Sequence, residues 1–204
     1  MVQYKLYYFN LRARGELTRL IFHYAGVPFE DIRIERNVEW PKRKHEFPFH
    51  QVPVLEADGK VLAQSNSIAR YLAKQFGIAG KDDWEQAQAD MYVDCISDLM
   101  TAIHKVIMET DAKKRAFMTE EYLSNTIAPH VQIIEKHLEK TGSGYMVGTE
   151  ITWADLAYYG FFSYLSENCG DVLKNAPHLK ALVSKVANIP SIKNWVDIRP
   201  KTYL

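Results

Sequence analysis

Two short apolar runs, Val52-Pro53-Val54-Leu55-Glu56 and Lys60-Val61-Leu62-Ala63, flank Ala57-Asp58-Gly59. An Asp-Gly step between such runs is a strong hairpin signal, because a tight turn needs positive φ at its central positions and these residues tolerate it. The runs are therefore expected to pair as antiparallel strands. Pro53 limits how they do so, since a proline within a strand removes a ladder hydrogen bond and is tolerated mainly at a strand start or a sheet edge. Two readings follow. If the Val52-Pro53 bond is cis, the chain turns sharply and the Val52 backbone, released from the sheet, can pair with a peptide-like ligand. If it is trans, Pro53 simply begins the strand.

The residues before the hairpin read as a β-α-β unit. Tyr4-Lys5-Leu6-Tyr7-Tyr8-Phe9 has the aromatic and aliphatic content of a buried strand. Leu17, Leu20, Ile21 and Tyr24 recur at i, i+3, i+4 and i+7, one apolar helical face, before Gly26 and Pro28 supply a stop. Phe29 to Ile34 alternates around Ile32 and Ile34 and makes a second strand, reached by a right-handed crossover. A looser segment from Arg36 to His50 leads to the hairpin. A helix starting near Ser65 then carries Ile68, Tyr71, Leu72 and Phe76 on one side and ends at Gly77.

The polar segment Ala79-Gly80-Lys81-Asp82-Asp83 breaks the pattern, and everything beyond it is helical in character. The expected organisation is an α/β domain over 1–77, a linker over 78–84 and an all-α domain over 85–204. Leu123, Ile127, Val131, Ile134 and Leu138 form one core stripe, and Leu179, Leu182, Val183 and Val186 another. Trp153 to Leu165 is apolar on all sides, which marks a helix buried within the helical domain. Its start is well specified: Thr152 is placed at the N-cap and Asp155 at N3 for a capping box, with Ile151 and Leu156 as a hydrophobic staple.

Composition removes several function classes. With 47% hydrophobic and 25% charged residues the chain has the profile of a folded protein. Its 25 Lys and Arg balance 25 Asp and Glu, which argues against a general nucleic-acid binder, and Lys42-Arg43-Lys44 reads as a solvated loop. No run approaches the roughly 18 apolar residues of a membrane span, and MVQYKLYYFN lacks the apolar core of a signal peptide, so a cytoplasmic protein without a membrane partner is expected. Cys95 and Cys169 form no CxxC and have no His at metal-ligand spacing, so both are expected to be reduced core residues.

Three positions are candidates for chemistry. Tyr8 stands near the end of the first strand, before Asn10-Leu11-Arg12-Ala13-Arg14, which sets a phenol at the carboxyl end of the sheet beside basic residues; a core tyrosine is the alternative. Ser65 can offer its hydroxyl and first-turn backbone N–H groups to a carboxylate, or act as a plain N-cap. Pro53 is the third. Together, a βαβ-ββα order with a proline opening the third strand and Gln64-Ser65 opening the last helix resembles the thioredoxin-like domain of glutathione transferases, and the all-helical second domain matches too. Tyr4-Lys5-Leu6, Tyr8-Phe9-Asn10 with Arg12 and Arg14, Trp40-Pro41, Gln51-Val52-Pro53, Gln64-Ser65 with Ile68-Ala69-Arg70-Tyr71-Leu72, and Thr152-Trp153-Ala154-Asp155 resemble the sigma class in particular. The resemblance covers nearly the whole chain.

That resemblance implies an enzyme in which Tyr8 hydrogen-bonds the sulfur of glutathione, the co-substrate, for attack on small hydrophobic electrophiles, with minor hydroperoxide reduction. Arg14 would add positive potential. Val52, ahead of Pro53, would bind the tripeptide backbone, Gln64 and Ser65 the γ-glutamyl carboxylate, and Trp40, Lys44 and Gln51 the glycyl end. Asp98 would reach the γ-glutamyl amine of a neighbouring subunit, which requires a homodimer; an acidic stripe formed with Asp94 is the alternative. Phe9, Ala13, Met100, Lys105, Phe161 and Leu204 would line an electrophile pocket between the domains.

The chain also departs from the family. Some sigma-class members isomerise prostaglandin H2 to prostaglandin D2, and a tryptophan lid in the best-known type is Lys105 here, which counts against that activity. Ser97 replaces the middle carboxylate of a three-aspartate metal site, so no metal is expected. Arg14-Gly15 reverses the usual order of glycine and arginine. No cysteine stands among the first 94 residues, so thiol-disulfide exchange is not expected. The alternatives to a conjugating enzyme are a binding protein that sequesters haem or other hydrophobic anions, a prostaglandin D isomerase, and a crystallin-like structural protein.

Overall fold

The computed structural model describes residues 2–202. Its elements run β1 (Tyr4–Phe9), α1 (Ala13–Ala25), β2 (Glu30–Ile34), α2 (Trp40–Arg43), β3 (Val54–Ala57), β4 (Lys60–Ala63) and α3 (Ser65–Gln75). They continue as α4 (Asp83–Ile107), α5 (Ala112–Tyr122), α6 (Ala128–Thr141), α7 (Trp153–Cys169), α8 (Pro177–Ala187) and α9 (Pro190–Ile198). The chain divides into two compact units, one running to Ala79 and taking in the segment from Asn188 onward, the other Gly80–Ala187.

The first unit is the expected thioredoxin-like arrangement: a four-stranded sheet in the order β2-β1-β3-β4, with β1 and β2 parallel and the other pairs antiparallel. Alternation along β1 buries Tyr4, Leu6 and Tyr8 on one face. Tyr4 packs on Phe22 of α1, ring centroids 5.2 Å apart. The opposite face carries Tyr7 and Phe9 against a small core of Ile34, Phe47 and Val54. The β3-β4 turn has Asp58 at φ 48° and Gly59 at φ 77°, as the Asp-Gly signal requires, and Asp58 Oδ1 accepts the Gln3 N–H at 2.8 Å. In α3, Ile68 and Leu72 are fully buried as expected, whereas Tyr71 is exposed.

The second unit is all-helical. α7 is its buried centre, with Trp153, Tyr158 and Phe162 fully enclosed. The capping box forms: Asp155 Oδ2 accepts the Thr152 N–H at 2.7 Å and the Thr152 hydroxyl at 3.0 Å. Asp155 Oδ1 also accepts the Met146 N–H at 2.8 Å, tying the preceding loop to the helix. The Leu123 stripe continues through a wider helical turn, Leu123–Ile127, that joins α5 to α6.

The segment from Asn188 onward groups with the first unit, where α9 is held by α1: Trp195 stacks on His23 with centroids 4.3 Å apart, and its indole N–H donates to Glu16 Oε1 at 3.0 Å. Cys95 and Cys169 are free thiols but half-buried rather than core residues. Among the described residues, no helix is long and apolar enough to cross a membrane.

Candidate active site

The register of the sheet gathers the candidates of the first unit at one end. Phe9 pairs with Ile34, Tyr7 with Val54, and Val54 with Ala63. The carboxyl ends of β1, β2 and β4 therefore lie beside the amino end of β3. Beyond these pairs the next residues are Tyr8, Pro53 and Gln64. The connection from β2 to β3 leaves and returns at this same end, and it carries Trp40, Lys44 and Gln51. Trp40 meets Phe9 edge to face at 5.3 Å and Phe47 at 5.7 Å, and Val52 packs into the same cluster. Lys44 and Gln51 are exposed.

Tyr8 is 6% exposed. Its hydroxyl oxygen accepts the backbone N–H of Arg14 at 3.3 Å. Burial pushes the phenol above its ordinary pKa, against the Arg14 N–H and the nearby charges of Arg19, Arg14 and Arg36, which pull it down. A phenol held above 10 is protonated at neutral pH. With its oxygen accepting from Arg14, its O–H can donate a hydrogen bond in turn. Gly15 explains the order Arg14-Gly15: a Cβ there would lie 2.5 Å from Tyr8 Cδ1, so the ring rests directly on the first turn of α1. Ala13, at the start of that turn, has φ 28°.

At β3 the Val52-Pro53 peptide is cis, Pro53 is buried, and Val52 stands outside the ladder. At the start of α3 the sequence reading is revised. Gln64, not Ser65, occupies the N-cap, with φ 73° and ψ 119°, and no side chain caps the helix there. Ser65 is the first helical residue, so the plain N-cap role does not apply to it. A non-glycine residue at positive φ costs on the order of 1–3 kcal/mol and is tolerated where surrounding structure demands it, most often at functional sites. With no side-chain cap at Gln64, the start of α3 has backbone N–H donors and the positive end of the helix dipole, a combination that can donate to an anionic group.

The remaining candidates belong to the second unit. Asp94 and Asp98 are exposed on α4, Ser97 and Met100 are half-buried there, and Lys105 is exposed in its last turn. Phe161 is buried, edge to face with Phe162 at 5.3 Å. Leu204 lies outside the described residues. Among the described residues no group of three or more His, Cys, Asp or Glu is arranged to hold a metal ion.

One constellation escaped the sequence reading. Arg19 has a fully buried side chain. Its Nη1 donates to Leu11 O at 2.6 Å and its Nη2 to Phe9 O at 3.4 Å. Its Nε donates to both Asp31 oxygens at 3.1 Å. Arg33 joins Asp31 at 2.7 Å and Asn10 Oδ1 at 2.7 Å. Glu16 lies 3.5 Å from Arg19 Nη1 and accepts from Arg199 Nη1 at 2.8 Å. The available signal was the pair Glu16 and Arg19 at i, i+3 in a helix whose apolar face surrounds them.

The chain was compared with known proteins. The family model described as the N-terminal domain of glutathione S-transferase matches residues 4–74, and that described as its C-terminal domain matches residues 97–199. Glutathione S-transferase 1 of Ascaris suum is 42% identical over 205 residues, covering 99% of both chains. Hematopoietic prostaglandin D synthase of Gallus gallus is 40% identical over 202 residues, again covering 99% of both. The crystal structure of the glutathione S-transferase from Ascaris lumbricoides superposes with a TM-score of 0.90 at 42% identity, covering 99% of this chain and 100% of that one.

Proposed function

Because the chain belongs to the glutathione S-transferase family, we propose that it is a sigma-class enzyme in which Tyr8 holds glutathione as its thiolate for attack on small hydrophobic electrophiles. The observation that carries this reading is the Tyr8 residue: buried, with its hydroxyl oxygen accepting the Arg14 N–H. An ordinary cysteine thiol has a pKa of about 8.5 and is mostly protonated at neutral pH, yet the thiolate is the nucleophile. A hydrogen bond to a charged acceptor is worth about 1.5–3 kcal/mol. At about 1.4 kcal/mol per pKa unit, one phenol lowers the thiol pKa by one to two units.

Arg14 adds positive potential beside the sulfur. The tripeptide backbone pairs with Val52 ahead of Pro53, its γ-glutamyl carboxylate meets Gln64 and Ser65 at the uncapped start of α3, and Trp40, Lys44 and Gln51 take the glycyl end. Asp98 of a second subunit reaches the γ-glutamyl amine, so the working form is a homodimer. Phe9, Ala13, Met100, Lys105, Phe161 and Leu204 receive the electrophile. In conjugation to 1-chloro-2,4-dinitrobenzene the sulfur forms a bond to the ring carbon, chloride leaves, and the thiol proton passes to solvent. The same thiolate supports minor hydroperoxide reduction. The setting is cytoplasmic detoxification.

Conjugation rates for wild type and Tyr8→Phe test the mechanism. A fall of about tenfold to a hundredfold in kcat/KM is expected from one to two pKa units, and equal rates would sink it. A second reading, prostaglandin D isomerase, is favoured by the 40% identity to the Gallus gallus enzyme. Conversion of prostaglandin H2 by the purified protein, at a rate exceeding its conjugation rate, would select it.

A further inference from the structure

We propose that Arg19 is a positioning residue for the thiolate-stabilising phenol: its buried guanidinium clamps the turn after β1 so that the Arg14 N–H meets Tyr8, and through Glu16 it links that turn to α9. The proposal rests on the Tyr8 reading above. The turn is short, and within it Leu11 N donates to Phe9 O at 2.7 Å. Arg19 adds side-chain contacts to it. Two of its nitrogens take the carbonyls of Phe9 and Leu11, the residues that bracket Asn10, while Asp31 and Arg33 relay the same side chain to Asn10 itself. The next residue, Arg12, starts the helix by accepting from Gly15 N at 3.1 Å and Glu16 N at 2.9 Å. The Arg14 N–H thus follows directly on backbone whose Phe9 and Leu11 carbonyls Arg19 holds.

The chemistry of the side chain suits this task. A guanidinium presents several donors in a rigid plane, which a lysine ammonium does not reproduce. Its charge sits between two carboxylates, Glu16 and Asp31, which compensates its burial. The guanidinium carbon is also 5.8 Å from the centroid of the Tyr8 ring. Glu16 extends the link outward. One of its oxygens faces Arg19 and the other accepts from Trp195 and Arg199 of the C-terminal segment. A change at α9 therefore reaches Tyr8 through two charged contacts.

The test uses the full-length protein with glutathione bound, reading the ultraviolet absorbance of its thiolate against pH alongside kcat and KM. Arg19→Lys keeps the charge and loses the fork. It is expected to raise the thiol pKa by about one unit and lower kcat/KM about tenfold at neutral pH, with KM for glutathione changed less than about twofold. Arg199→Gln, at the half-buried outer end, is expected to move the pKa the same way with about a threefold loss, and it decides the matter if Arg19→Lys does not fold. In a Tyr8→Phe background neither substitution should shift the pKa further, because both act through Tyr8. A wild-type thiol pKa in the single variants, with only a lowered melting temperature, would show Arg19 to be structural and overturn the proposal while leaving Tyr8 intact. A wild-type thiol pKa in Tyr8→Phe would instead remove the reading on which the proposal stands.

Discussion

Gly15 and Tyr8 touch: the phenol ring covers the Gly15 α-carbon so closely that an added Cβ would meet Tyr8 Cδ1 at 2.5 Å. The neighbouring Arg14 N–H, in the same turn, then reaches the hydroxyl of that ring at 3.3 Å. Gly15→Ala must displace one or the other. Overpacking of this kind costs about 1–3 kcal/mol, and loss of the Arg14 contact is expected to lower kcat/KM for 1-chloro-2,4-dinitrobenzene by at least about tenfold. Steady-state rates and a thermal melt measure the two effects; an alanine variant with wild-type turnover would show that this contact is dispensable.

The direction of the Tyr8 shift sets a pH dependence. Burial raises its pKa in the folded protein, so the stability that the neutral phenol contributes is present below its unfolded value of about 10 and is lost as pH rises through the higher folded value. Activity should climb with thiol ionisation and then stay level, with no descending limb below about pH 10. A decline with an apparent pKa near 9 in wild type, absent from Tyr8→Phe, would contradict this.

Asp155 is expected to matter for folding alone. Its carboxylate collects the Thr152 N–H, the Thr152 hydroxyl and the Met146 N–H, and it is fully buried. Asp155→Ala should lower unfolding stability by about 3 kcal/mol or more, and Thr152→Ala by about 1 kcal/mol. At temperatures where both variants are folded, the pKa of bound glutathione should equal that of wild type, as absorbance titration can show.

Glu135 caps the start of α8. It accepts the backbone N–H groups of His178 at 3.0 Å and Leu179 at 2.9 Å, and its Oε1 lies 2.6 Å from His178 Nδ1. Burial pushes this carboxyl up, but the two N–H groups and the His178 ring outweigh it and hold it below its usual value. Its stabilising contribution is therefore present above the unfolded pKa of about 4.3 and lost as pH falls through the folded one. Glu135→Gln should be less stable than wild type at pH 7, and the difference should shrink in acid. Denaturant melts at the two pH values measure it, and a constant difference would count against the cap.

Much of the first unit was legible because its signals are local. Asp58-Gly59 names a turn through the φ values its own residues accept, and Thr152 to Asp155 names a helix start through bonds that span three residues. The pairing of Tyr8, Pro53 and Gln64-Ser65 was legible at one remove, since a βαβ-ββα order leaves those positions at one end of the sheet. Gln64 at positive φ was not, because glutamine carries no preference for that conformation and only the surrounding fold imposes it.

By itself, then, the sequence determined the strands, the helices and the turn chemistry, all of which depend on neighbours a few positions apart. The tertiary structure alone decided that Arg19 is buried on the turn beside Tyr8, that Gly15 yields its space to the ring, and that α9 joins the first unit. Glu16 and Trp195 meet across 179 residues of chain. A contact at that separation leaves no periodicity or motif to read, since its energy exists only once two distant segments have been folded against each other.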